Sequence, residues 1–194
     1  MRNKGAAVRQ RIVDTADQLF YHQGYENTSF SDIADAMGIS RGNFYYHFKS
    51  KDEILNAVIN ARVTRFTEML NEWDKKILDP KQRLHYYIDM QSRNQENIVS
   101  HGCPVGSLCT ELAKTRHSTL VDANQMFTVF RDWLITQLKL LGLKNKAKLI
   151  SMHLLARGQG IATVSNAFED KEFLRREVKQ LKQWLDVEIL KVSH

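Results

Sequence analysis

The chain has 194 residues, 43% of them hydrophobic, which suits one large domain or two small ones, and its formal net charge of +6 favours an anionic partner. Its two cysteines, Cys103 and Cys109, exclude a disulfide framework and fit a reduced, cytoplasmic setting. No apolar run approaches the ~18–20 residues of a membrane span, and the charged start, MRNKGAAVRQRIVDTADQLF, lacks a signal-peptide apolar block, so no membrane partner is expected.

Few helix breakers, two prolines and nine glycines, favour long helices. The first helix carries the stripe Val8, Ile12, Ala16, Leu19 and Phe20 and stops at Gly24. Arg2, Lys4, Arg9 and Arg11 make its start basic and acid-free, suited to a DNA-reaching arm or a solvated tail. Ser29 and Asp32 form a Ser-x-x-Asp cap that opens a short helix through Met37, and Gly38 closes it. Ser40 caps a third helix from Arg41 to about Phe48, and Ser50 with Glu53 caps a fourth that runs from Lys51 to about Ile77. A fifth helix spans Pro80 to about Val99, followed by the breaker-rich Ser100–Gly106. Four more follow: Val105–Lys114, Ser118–Leu141, Lys146–Phe168 and Lys171–Lys191. The pattern predicts an all-α fold of about nine helices without strands.

The second and third helices are short and joined by three residues that include a glycine. That is a helix-turn-helix arrangement, whose second helix enters the DNA major groove. The run ISRGNFYYHFKSK supplies what such a helix needs. Ser40 and Gly42 let the backbone approach phosphates, and Arg41, Asn43, Tyr45, Tyr46 and His47 offer groups for base edges and phosphates. Lys51 stands at the next helix N-terminus, where amides and dipole already favour a phosphate. Phe44 and Phe48, four apart, face the core. Residues 1–50 hold six Lys/Arg against five Asp/Glu, so the reading rests on placement and not on bulk charge.

In the stretch GYENTSFSDIADAMGISRGNFYYHFKSKDEIL, residues 24–55, the sequence resembles the tetracycline-repressor (TetR) family of transcriptional regulators. The resemblance implies a homodimer that binds a double-stranded, near-palindromic DNA operator and is released by a small-molecule effector. It implies a DNA-binding domain over 1–50, with the helix-turn-helix at 29–48. A connecting helix at 51–77 opens a ligand-binding and dimerisation domain over 51–194. It places DNA contacts at Thr28, Ser40, Arg41, Gly42, Asn43, Tyr45, Tyr46, His47 and Lys51. The last two helices are implied to pair across the dimer axis, through Gly158, Gly160, Leu174, Val178, Leu181 and Leu185. Ala156 and Ala162 flank the glycines and allow close backbone approach, and Ile189 ends the stripe.

Apolar effectors fit between helices that carry aromatic and methionine side chains, which also build ordinary cores. The candidates are Phe66 and Met69 on helix four, Tyr86 and Met90 on helix five, and Phe127, Phe130 and Trp133 on helix seven, with Cys103 and Cys109 between. Cys103 precedes a helix N-terminus, a setting that stabilises a thiolate, so a thiol-based oxidant or electrophile sensor is the alternative function. A zinc set of His101, Cys103, Cys109 and His117 matches no standard spacing. No paired carboxylates, nucleophile–base constellation or phosphate-binding glycine loop is present, which weighs against an all-α enzyme. No cofactor is expected.

Overall fold

The computed structural model describes the backbone of residues 2–191 and the side chains of residues 5–191. Ten helices and no strand occur among the described residues: α1 Arg2–Gln23, α2 Phe30–Met37, α3 Arg41–His47, α4 Lys51–Lys76, α5 Pro80–Arg93, α6 Gln95–His101, α7 Pro104–Lys114, α8 Leu120–Leu140, α9 Ala147–Ala167 and α10 Lys171–Leu190. The expected fifth helix is divided at Asn94. The Asn94 side-chain amide donates to the Met90 carbonyl at 2.8 Å, and its backbone N–H reaches the carbonyls of Met90 and Gln91. An asparagine that satisfies the last carbonyls itself ends a helix without any glycine or proline. The basic N-terminal residues are no extended arm: α1 is already helical at Arg2, although the side chains of Arg2 and Lys4 lie outside the described residues.

The fold divides into two compact units, Met1–Arg65 with Ser107–Met126, and Phe66–Gly106 with Phe127–His194. In the first, the α1 stripe buries Ile12, Val13, Ala16 and Phe20, and α4 adds Ile54, Leu55, Val58 and Ile59. Asp17 on α1 is buried and takes two arginines from α4, Arg62 and Arg65, each at 2.6 Å. A carboxylate so enclosed needs such partners, because an unpaired buried charge is costly.

In the second unit α10 packs against α5 and α9, and α6 against α9. Leu174, Val178, Leu181 and Leu185 are all buried there within one chain. This corrects their expected place in the dimer interface: an amphipathic stripe of this length is consumed by α5 and α9. Ion pairs rim the same contact, Asp186 with Lys81 and His85 at 2.9 and 2.8 Å, and Asp89 with Lys182 at 2.7 Å. Gly158 is likewise internal, since a Cβ there would lie 2.8 Å from the Gln91 amide nitrogen. The face of α9 left open is a different one: Leu149, Met152, Ala156, Gly160, Thr163, Val164 and Phe168 are exposed at helical spacing.

Candidate nucleic-acid interface and aromatic core

Ser29 opens α2 with a reciprocal cap. Its hydroxyl accepts from the Asp32 N–H at 3.1 Å, and the Asp32 carboxylate accepts from the Ser29 N–H at 2.7 Å. The Ser29 backbone bond first, and its hydroxyl second, hold the Asp32 carboxyl below its ordinary range. Gly38 ends α2 at φ 65°, a left-handed conformation that favours glycine. Ser40 then caps α3 by accepting from the Asn43 N–H at 3.3 Å. Phe44 and Phe48 are buried as expected, with Phe30 tilted against Phe44 at 5.1 Å. Two buried rings on one side of a helix of 7 residues leave the other side outward.

On that outward side Arg41, Gly42, Asn43, Tyr45 and Tyr46 are exposed, Tyr46 at 78%. Arg41 has no hydrogen-bond or ion-pair partner among the described residues. It lines a shallow dimple between α2 and α3 with Ser31 and Tyr45, floored by Phe30, Ala34 and Phe44. Tyr45 is less exposed than Tyr46, its ring edge-on to Phe30 at 5.5 Å. His47 is partly covered and meets the Tyr46 ring at 5.1 Å. Ser31 was not among the expected contacts, because serines near caps read only as turn chemistry in a sequence.

Two expected contacts are placed differently. Thr28 is 1% exposed; its hydroxyl donates to the Gly24 carbonyl at 2.7 Å and accepts from Gln23 at 3.2 Å. Those bonds close the turn between α1 and α2, so its side chain is internal rather than presented to a ligand. Lys51 stays at the surface but is not loose: its ammonium donates to the Glu26 carbonyl at 3.2 Å and sits 4.2 Å over the Tyr25 ring. The same turn is gripped from a second side. Glu111 on α7 accepts the backbone N–H groups of Tyr25 and Glu26 at 3.0 and 2.7 Å. The Tyr25 hydroxyl donates to Asp52 at 2.7 Å, and the His117 Nε2 lies 3.4 Å from both. Thr119 donates to the His117 Nδ1 at 3.2 Å, which leaves the neutral ring's proton on Nε2. Burial first, then Asp52, raises the Tyr25 hydroxyl well above its ordinary value. No periodicity links residues 86 positions apart, so Glu111 gives no signal in the sequence.

The helix-turn-helix geometry is therefore complete on its own scaffold, and the comparisons with known proteins agree. Residues 12–58 match the model of the bacterial regulatory proteins of the tetR family. An uncharacterized HTH-type transcriptional regulator in the lacX 3′ region of Lactococcus lactis is 30% identical over 178 residues, 90% of this chain and 91% of its own. The chain belongs to the TetR family. This TetR-family chain is a ligand-responsive, DNA-binding regulator of transcription. The HTH-type transcriptional regulator TtgR of Pseudomonas putida is 25% identical to it over 138 residues, 66% of each chain. A TetR transcriptional regulator from Chloroflexus aurantiacus shares its fold, with a TM-score of 0.83 at 21% identity over 96% of this chain and 97% of that one.

In the second unit the TetR-family chain gathers part of the expected ligand set. Phe66 and Phe130 meet at 4.9 Å, Tyr87 stands 5.7 Å from Phe130 and 6.2 Å from Trp133, and Trp73 joins Trp133 at 5.9 Å. Tyr86 lies at the exposed rim, sandwiched by Trp73 at 4.9 Å and the Arg93 guanidinium at 3.7 Å. Met69, Met90 and Phe127 are partly covered. Cys103 is partly covered and accepts from the Gln159 amide at 3.4 Å. Cys109 does not join it. It lies on α7 and is buried in the first unit, its thiol 3.7 Å from the Ala123 carbonyl, whereas Cys103 precedes that helix and belongs to the second unit. Among the described residues no helix is long and apolar enough to cross a membrane, and no cluster of three metal-binding side chains occurs.

Proposed function

We propose that this protein is a repressor that binds a near-palindromic double-stranded DNA operator as a homodimer and is released by a small-molecule effector. The observation that carries the reading is α3: a helix capped by Ser40, anchored by Phe44 and Phe48, with Arg41, Asn43 and Tyr46 outward and Arg41 without a partner among the described residues. Residues 1–50 serve DNA, and residues 51–194 serve the effector and the dimer. Ser40, Gly42, Tyr45, His47 and Lys51 position the backbone, while Arg41 and Asn43 meet base edges. Both half-sites must be met at once, so their centres lie about one helical turn, ~34–36 Å, apart. The effector acts by a coupling free energy, favouring a dimer geometry that no longer fits both half-sites. The exposed apolar face of α9, with Gly160 on it, together with the exposed Val187 and Leu190 of α10, is the dimer surface. The protein works in the cytoplasm, where its free thiols stay reduced, and it catalyses no reaction.

Operator selection with the purified protein from random double-stranded DNA tests this. A two-fold symmetric motif, bound by two protomers, is the expected result. Recovery of no enriched motif would sink the reading. The partly exposed Cys103 thiol supports a second reading, an oxidant or electrophile as the releasing agent. Cys103→Ser separates the two: it abolishes release by peroxide or an enone, whereas a reversible ligand still releases the variant at a sufficient concentration.

A further inference from the structure

The chemistry of the effector can be read at the polar end of the aromatic cluster in the second unit, and this step rests on the effector-responsive reading above. Tyr87 and Gln91 stand four residues apart on α5, hence on one face. The Tyr87 ring is held by Phe130 and Trp133, while its hydroxyl has no hydrogen-bond partner among the described residues. Burial, and after it the Cys103 thiol, keeps that hydroxyl protonated far above its ordinary range. The Gln91 Oε1 is wholly buried and unpartnered. An acceptor left so is costly, and a ligand donor recovers that cost.

Space around these groups is closely defined. The Gln91 nitrogen lies against α9 at Gly158, where a Cβ would come within 2.8 Å. Beside it Gln159 donates to the Cys103 sulfur at 3.4 Å and fills the space over Gly106, where a Cβ would meet its Oε1 at 2.0 Å. The polar end is thus two amides, a phenol and a thiol. The charges that touch the cluster are already engaged: Asp74 accepts from Trp133 at 3.1 Å and pairs with Arg83 at 3.4 Å, and Arg93 lies over Tyr86 and Trp73.

We infer that this site takes an uncharged aromatic molecule bearing a hydroxyl or ring N–H, its rings among Phe66, Tyr87, Phe130 and Trp133 and its donor on the Gln91 Oε1. Flat apolar walls select the ring system. The orphan acceptor selects a donor, and the absence of an unengaged charge rejects an anion or cation that must leave water.

The test titrates the full-length protein at pH 7 with 2-naphthol, 2-methylnaphthalene, 2-methoxynaphthalene and 2-naphthoate, read by tryptophan fluorescence. 2-Naphthol binds about tenfold tighter than the methyl and methoxy compounds, the worth of one hydrogen bond to a buried group, and the carboxylate binds least. Gln91→Met brings the three neutral compounds to within about twofold and raises the melting temperature of the free protein, because the orphan acceptor is gone. A melting curve confirms that the variant is folded. The inference is overturned if the methyl or methoxy compound matches 2-naphthol, if the carboxylate binds best, if no naphthalene binds, or if Gln91→Met keeps the preference. Release of selected operator DNA is scored separately. Selective binding of 2-naphthol without release overturns the effector reading and leaves the ligand class standing; release by some other ligand does the reverse.

Discussion

Arg41 and Lys51 carry their charges to different ends. Arg41 is exposed without a partner among the described residues, on the first turn of α3, the part of a recognition helix that in helix-turn-helix proteins meets base edges. Arg41→Ala therefore costs about 1–3 kcal/mol at the cognate operator and relaxes preference at one position per half-site. Repeating operator selection with the variant checks this; an unchanged motif with uniformly weaker binding would show instead that Arg41, with Ser31 across the dimple, grips a phosphate. Lys51 already bonds the Glu26 carbonyl and covers Tyr25. Its replacement by alanine weakens cognate and random DNA alike and lowers the salt slope by about one ion. Glu111 is a third case, a carboxylate that touches no DNA-facing side chain yet receives two N–H groups of the α1–α2 turn. Glu111→Ala leaves both donors without their acceptor and destabilises the first unit by about 1–3 kcal/mol. Hydrogen exchange at the Tyr25 and Glu26 amides reports it directly, and unchanged protection there would refute the role.

At the scale of elements, local chemistry decides where helices begin and end. The Ser29–Asp32 cap, Gly38 and the Ser40 cap were all legible, because each depends only on residues within four positions. Ser50 behaves slightly otherwise: its hydroxyl accepts from the Glu53 N–H, but the Glu53 carboxylate takes the Lys49 N–H rather than that of Ser50. Gly38→Ala tests how much α3 depends on the joint that precedes it. A Cβ meets open space there, so the cost is purely conformational, about 1–2 kcal/mol at a φ of 65°. Thermal unfolding measures it, and Gly38→Asn recovers part of the loss, since asparagine tolerates that region. The division at Asn94 was not legible, because the apolar pattern runs on from Ile88 to Ile98 and a single self-capping asparagine leaves no periodic trace.

For the molecule as a whole, the two faces of the last helix pair make opposite predictions. Leu181 is 1% exposed within one chain, so Leu181→Asp unfolds the second unit instead of yielding folded monomers. Met152 and Gly160 lie on the open face of α9, so Met152→Glu or Gly160→Arg keeps helical content and melting behaviour but gives monomers with weak operator binding. Sedimentation together with circular dichroism distinguishes the outcomes; a folded Leu181→Asp monomer would return the dimer surface to the Leu174–Leu185 stripe.

The sequence by itself determined the all-α class, the helix-turn-helix and the outward set Arg41, Asn43, Tyr45 and Tyr46, because caps, glycine stops and the four-residue step from Phe44 to Phe48 act through near neighbours. Tertiary structure alone decided what each apolar stripe meets. The α10 stripe announces burial but not the partner, since an amphipathic face looks the same whether another helix of its own chain or of a second copy covers it. It alone also enclosed Thr28, set Glu111 on a turn 86 residues away, and left the Gln91 oxygen buried without a partner among the described residues. Those outcomes depend on which distant surfaces the chain brings together, and hydrogen bonds and burial at such separations leave no local pattern to read.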